Sequence, residues 1–90
     1  MNREVEIKQL SEEEKKTRKI DQWPIWTKEI SVFPWTYDSR EECLILEGEV
    51  IVSTDSGEYH IKAGDFVVFH EGVNCRWDIK KPIRKHYNFD

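Results

Sequence analysis

The sequence predicts an all-β fold, a small sandwich or barrel, and three observations carry that prediction. From Trp23 onward, short stretches alternate polar with apolar residues. Glycine turns punctuate them at Asp55-Ser56-Gly57, Ala63-Gly64-Asp65 and His70-Glu71-Gly72. The chain also holds four Trp, three Tyr and four Phe in 90 residues, more rings than a solvated polymer carries.

Residues 1–22 differ from the rest. Val5 and Ile7 alternate with Glu4, Glu6 and Lys8, the pattern of a short strand. Ser11 and Glu14 have capping-box spacing, and Glu12 and Glu13 suit the positive end of a helix. Lys15, Lys16, Arg18 and Lys19 follow where cations favour the dipole. No apolar residue stands between Ser11 and Ile20, so the helix is expected to be short and solvated. The chain therefore divides into a charged N-terminal strand and short helix packing on the barrel (1–22) and the barrel itself (23–90).

Pro24 and Pro34 exclude helix from the aromatic-rich stretch of Trp23, Ile25, Trp26, Ile30, Phe33 and Trp35. Cys43-Leu44-Ile45-Leu46 reads as a strand running into Glu47-Gly48, and Glu49 to Thr54 as the next. Asp55-Ser56-Gly57 is a hairpin turn, where glycine supplies positive φ. Tyr59 and Ile61 alternate with Glu58, His60 and Lys62. Phe66 to Phe69 is a wholly apolar strand. Cys75, Trp77 and Ile79 alternate with Arg76, Asp78 and Lys80, Pro82 interrupts, and Ile83 to Phe89 closes the chain.

Composition narrows the function. Fourteen basic against eighteen acidic residues give a net charge of −4, with no basic face for a phosphate backbone, so nucleic acid is not an expected partner. The longest apolar runs are four residues, too short for a bilayer-spanning helix, and no membrane association is expected. Met1-Asn2-Arg3-Glu4 opens no signal-peptide stretch, which points to the cytoplasm, where Cys43 and Cys75 are expected as free thiols. A core this small makes a homodimer the expected state.

Two segments resemble the motifs of the cupin family. Glu41-Glu42-Cys43-Leu44-Ile45-Leu46-Glu47-Gly48-Glu49 resembles the first, with a Glu seven residues before a glycine. Gly64-Asp65-Phe66-Val67-Val68-Phe69-His70-Glu71-Gly72-Val73-Asn74-Cys75 resembles the second. Trp23-Pro24-Ile25-Trp26 and the closing Arg84-Lys85-His86-Tyr87 are similar to a narrower group, the small RmlC-like cupins related to ureidoglycine aminohydrolase and ethanolamine-utilisation cupins. The resemblance implies a jelly-roll β-barrel that often dimerises.

It also implies a metal set of two His and one Glu from the first motif and one His from the second. Here Glu41 keeps the Glu position, Trp35 and Tyr37 stand at the two His positions, and Cys75 replaces the last His. His70 stands where the second motif has a Pro. A degenerate site with no metal and no cofactor is the resulting expectation.

Each candidate residue has a plain structural reading beside the functional one. Trp35 and Tyr37 either fill the barrel or line a pocket. Glu41 is either a general acid or base or an anchor for a cationic ligand, or else a carboxylate at the barrel mouth satisfied by Arg40, Arg76 or Arg84. Cys75 is a buried small hydrophobe, a thiol activated by His70 or His86, or a soft-metal ligand with Glu41 and a His. His60 is expected at the surface and His86 at the rim. The candidate ligand-binding set is Trp35, Tyr37, Glu41, Cys75, Trp77 and His86, with Glu41 and Cys75 as catalytic candidates.

Three functions fit these residues. The leading one is a small-molecule-binding cupin without the usual metal. The second is a metal-dependent enzyme acting on a nitrogenous small molecule, as the ureidoglycine resemblance implies. The third is a structural or interaction domain with a filled core. Whether the protein is an enzyme is left open by its sequence.

Overall fold

A computed structural model describes residues 4–89. Seven strands form one antiparallel sheet: β1 (Val5–Lys8), β2 (Ile25–Lys28), β3 (Val32–Thr36), β4 (Glu41–Thr54), β5 (Gly57–Lys62), β6 (Phe66–Phe69) and β7 (Asn74–Phe89). One short helix, α1 (Glu12–Arg18), and a single 3-10 turn, Ile20–Gln22, lie between β1 and β2.

The long strands β4 and β7 pair with each other along almost their whole length and form the spine. The first half of β4 also pairs with β6, and β6 with β1. The second half of β4 pairs with β5. On the other side, the end of β7 pairs with β2 and its beginning with β3. The spine bends at its middle, where the ladder shifts register between Ile45 and Val50. The bend folds one half of the sheet over the other and closes the jelly roll.

Sequence reading divides β4 at Glu47-Gly48 and β7 at Pro82. In the structure both strands run on through those points, because bulges absorb the bend without ending the ladder. The aromatic-rich stretch resolves into two strands, β2 and β3, each hydrogen-bonded only to β7 among the described strands. Pro34 is tolerated because β3 is an edge strand, where a missing N–H costs no ladder bond.

The core lies between the two halves. Cys43, Ile45, Val50, Val52, Ile61, Val67, Phe69, Trp77, Ile79 and Ile83 all pack in it. A second, smaller cluster lies outside the sheet, where Leu10 and Ile20 cover Leu44, Phe66 and Val68. This cluster ties the N-terminal segment down. The helix buries none of its own residues. Its capping box forms as the sequence indicates: Glu14 N donates to Ser11 Oγ at 3.1 Å, and Ser11 N to Glu14 Oε1 at 3.0 Å. Arg18 reaches Glu42 at 3.2 Å and lies over the Phe66 ring.

Two sets of hydrogen bonds fix turns of the barrel. Asp65, 2% exposed, accepts from Gln9 Nε2 at 2.6 Å and from Lys62 N at 2.9 Å. Tyr37 is held by its backbone: its N–H donates to Val73 O, and its carbonyl accepts from Gly72 N. The Gly48 bend is the tightest point. Its φ is +102°, and a Cβ there would sit 2.2 Å from the Pro82 carbonyl oxygen. Gly64 shares the positive φ, +97°, but a Cβ there would meet only Gln9 Oε1, at 3.9 Å, an ordinary contact.

These two glycines therefore separate strain from collision. Gly64→Ala is expected to cost about 1–3 kcal/mol through backbone strain alone. Gly48→Ala adds a clash with backbone that cannot swing away, and should cost distinctly more. Ser56→Ala, in the Asp55-Ser56 turn between β4 and β5, should leave stability near that of the parent. Thermal melts of the three variants check the order, and equal Tm values for Gly48→Ala and Gly64→Ala would refute it.

Candidate functional site

One mouth of the barrel stays open. A cleft of about 230 Å³ lies there, walled by Trp26 of β2, Phe33 and Trp35 of β3, Tyr37, and Trp77, Tyr87 and Phe89 of β7. Among the described residues, the charged members of its lining are Glu41 and Lys85.

Strand alternation explains the lining. On the last part of β7, Ile83, Lys85, Tyr87 and Phe89 share the inward phase, while Arg84, His86 and Asn88 point the other way. Lys85 thus enters the barrel in an apolar series. Glu41 does the same from β4, in phase with Cys43 and Ile45. Lys85 is 4% exposed and Glu41 3%. Lys85 Nζ donates to Glu41 Oε2 at 3.1 Å. The ammonium also lies 4.9 Å from the Trp26 ring and 4.7 Å from the Trp77 ring. A buried lysine needs a partner, and this one has a carboxylate and two indole faces.

The rings are held by one another. Trp26 meets Trp77 edge to face at 5.9 Å, and Phe33 stacks on Trp77 at 6.0 Å. Below them Tyr37 stacks on Phe69 at 4.6 Å, nearly parallel at 7°. Burial raises the Tyr37 hydroxyl above its ordinary pKa, and the nearby Glu41 charge pushes the same way. The Trp77 indole N–H is buried with no hydrogen-bond partner of regular geometry, although it lies near the Tyr37 hydroxyl and the Cys75 thiol.

Of the residues singled out in the sequence, Trp35, Tyr37, Glu41 and Trp77 come together at this cleft. Cys75 and His86 do not line it. Cys75 lies opposite Trp35 in the ladder, and its Sγ donates to the Trp35 carbonyl at 3.5 Å. His86 points to the outer face, where Nδ1 donates to the Trp23 carbonyl at 2.9 Å. His70 pairs with Glu6, and the exposed His60 with Glu49. Glu41 is satisfied by Lys85, not by Arg40, Arg76 or Arg84. Lys85 is the residue that sequence reading misses. Its signal is present all the same: a lysine in the apolar phase of a strand.

The donor set does not suit the metal that the cupin motifs imply. Trp35 offers no ligand atom. The Tyr37 hydroxyl and the Cys75 thiol both resist ionisation. Burial pushes Cys75 up to about 11 and Cys43 to about 12. The Glu41 carboxylate already faces an ammonium. Among the described residues no three His, Cys, Asp or Glu side chains come together as an ion site.

Fold and motif register define a small cupin. Residues 15–87 match the EutQ-like cupin domain family, and the chain belongs to it. It is similar to a DUF861 family protein from Thermotoga maritima, with 48% identity over 97% of this chain and 100% of that one, and a TM-score of 0.94. A putative ethanolamine utilization protein Q from Salmonella typhimurium is 26% identical over 72% of this chain, with a TM-score of 0.66, and this chain spans 53% of its length. A DUF861 family protein of Pseudomonas syringae, 24% identical, shares the fold over 73% of this chain and 29% of its own, with a TM-score of 0.67. No curated protein matches the chain. The ureidoglycine side of the resemblance gains no support from these relatives. No helix among the described residues is long and apolar enough to cross a membrane.

Two outcomes follow from the site. Lys85→Met leaves Glu41 buried without a counter-charge and should cost about 3–5 kcal/mol. The double variant Glu41→Leu/Lys85→Met removes both charges and should recover most of that loss. Urea denaturation of the four proteins in the cycle measures the coupling, and strictly additive losses would mean that the pair does not act as a unit.

The thiols, with the buried Tyr37 hydroxyl, lower stability at alkaline pH. An unfolded thiol ionises near 9, the folded ones only near 11 and 12, so the fold favours the protonated form. Stability from this source is complete below the unfolded value and falls as pH rises from there toward the folded ones. Urea midpoints should decline over that range in the parent. The slope should be shallower in Cys43→Ala and Cys75→Ala, and identical slopes would contradict the assignment.

Proposed function

We propose that this cupin binds a small, mostly apolar molecule in the cleft, and that it does so without a metal. The observation that carries the reading is an aromatic cavity that ends on the buried Glu41–Lys85 pair. Its volume of about 230 Å³ exceeds the ~150 Å³ that suffices for benzene in an apolar protein cavity. Apolar walls supply affinity, and a few polar groups fix orientation. The ion pair is net neutral, so it favours neither a strong anion nor a strong cation. It suits a ligand with one neutral dipolar group: the carbonyl or hydroxyl oxygen accepts from Lys85, and a hydroxyl donates to Glu41.

Lys85 also supports the metal-free reading. Its ammonium neutralises the carboxylate that the cupin motif would turn toward an ion. A divalent cation would have to displace it against charge repulsion, with no strong donor to compensate.

The test is a panel of small aromatic and aliphatic molecules bearing alcohol, carbonyl, carboxylate or amine groups, followed by thermal melts and amide chemical shifts. A ligand at about 100 times its Kd should raise Tm on the order of 10 °C in a domain of this size. Shifts should centre on Trp77, Lys85 and Tyr87, and Trp35→Ala at the rim should weaken binding without unfolding the barrel. Elemental analysis of protein purified without chelator should find no stoichiometric Fe, Mn, Ni or Zn. A stoichiometric metal, or a panel with no response at the cleft, would overturn the proposal.

A further inference from the structure

We propose that Lys85 is a carbonyl-capturing amine, which forms an imine with a small aldehyde or ketone held in the cleft. The inference rests on the binding reading above and names the ligand class.

The placement of Lys85 differs from that of the other lysines. Lys8, Lys16, Lys19, Lys28, Lys62, Lys80 and Lys81 are exposed and Lys15 is half-buried. None of them lines the cleft. Among the described residues, Lys85 alone joins a primary amine to an apolar cavity, with a carboxylate 3.1 Å from its nitrogen. Aromatic walls can hold a planar carbonyl compound beside that nitrogen and keep bulk water from the bond that forms.

The chemistry balances with these two residues and the carbonyl compound. The Lys85 ammonium passes one proton to the Glu41 carboxylate. The freed nitrogen lone pair forms a bond to the carbonyl carbon, and the C=O π pair moves onto oxygen. A proton transfers from nitrogen to that oxygen to give a neutral carbinolamine. Glu41 returns its proton to the hydroxyl, which leaves as water as the nitrogen lone pair closes the C=N bond. Ammonium plus aldehyde thus gives protonated imine plus water, with no oxidant, reductant or net proton. The product is again a cation, so it keeps the Glu41 carboxylate and the Trp26 and Trp77 faces that held the ammonium.

The experiment uses the intact protein, benzaldehyde as probe and benzyl alcohol as its non-reacting counterpart. Cyanoborohydride reduces any imine to a stable benzylamine, and peptide mapping over a time course locates it. We expect Lys85 to be labelled before every other lysine. Excess benzyl alcohol should slow that label but not the surface ones. Lys85→Arg, which keeps the charge and the ring contacts but has no primary amine, should lose the cleft label entirely. If benzyl alcohol shifts the cleft resonances while Lys85 labels no faster than surface lysines, imine capture is overturned and the binding reading stands. If neither compound perturbs the cleft, both fall. The mapping is done on the parent protein, so labelling there decides the question even where Lys85→Arg fails to fold.

Discussion

The buried contact between Lys85 and Glu41 is the constraint around which the open end of the barrel is arranged. Two charges removed from water are expensive, and neither could stay without the other. The pair is not a direct cross-strand neighbour. Lys85 lies opposite Ile45, and Glu41 stands four residues earlier on β4. The lysine must therefore extend along the sheet, and the rings of Trp26 and Trp77 line its path. Those rings need Phe33 and β3 to hold them, and β3 needs the first half of β7. The bend at Gly48 and Pro82 makes this possible, because it brings the two halves of one sheet face to face.

Much of the fold is legible in the sequence because its signals are local. Alternation marks β1, β5 and the start of β7, and the glycine turns mark their ends. The capping box gives the helix. The continuity of β4 and β7 is hidden because bulges at Gly48 and beside Pro82 look like strand ends in a sequence. In the site, the register of the motif gives Trp35, Tyr37 and Glu41, and alternation gives Trp77. Lys85 escapes notice because lysine is ordinarily read as a solvent-facing residue. Phase is the better guide: Ile83, Tyr87 and Phe89 mark the inward side of the strand, which Lys85 shares. The chemistry of its neighbour His86 suggests a place in the site, and the same two-residue period puts it outside. The partner of Glu41 is not legible at all, because nothing in a sequence tells how a spine bends.

The metal motif and the lysine are two answers to one electrostatic need. An inward carboxylate must meet positive charge or lose its own. With histidine ligands that charge can be an ion. In this barrel the tethered Lys85 ammonium meets the need. The two answers carry different chemistry. A divalent ion polarises an oxygen as a Lewis acid, whereas an amine polarises it only through a hydrogen bond and, once deprotonated, becomes a nucleophile. The faces of Trp26 and Trp77 add to this, since indole rings stabilise an ammonium.

A filled core and a pocket each describe part of the molecule. Below the cleft, the parallel stack of Tyr37 on Phe69 leaves no gap, and Cys43, Val67 and Val50 close the barrel beneath it. Above it, Trp35 and Phe89 are half exposed, at 50% and 47%, although both belong to the apolar phase of their strands. Exposed rings of that size are unfavourable in water, and burying either would stabilise the domain at about 25 cal/mol per Å². Trp35 sits on the edge strand β3, and Phe89 lies beyond the residues of β7 that pair with β2. The ion pair in the lining opposes collapse of the apolar walls onto one another. Collapse would press hydrocarbon against two charges that depend on each other for their compensation.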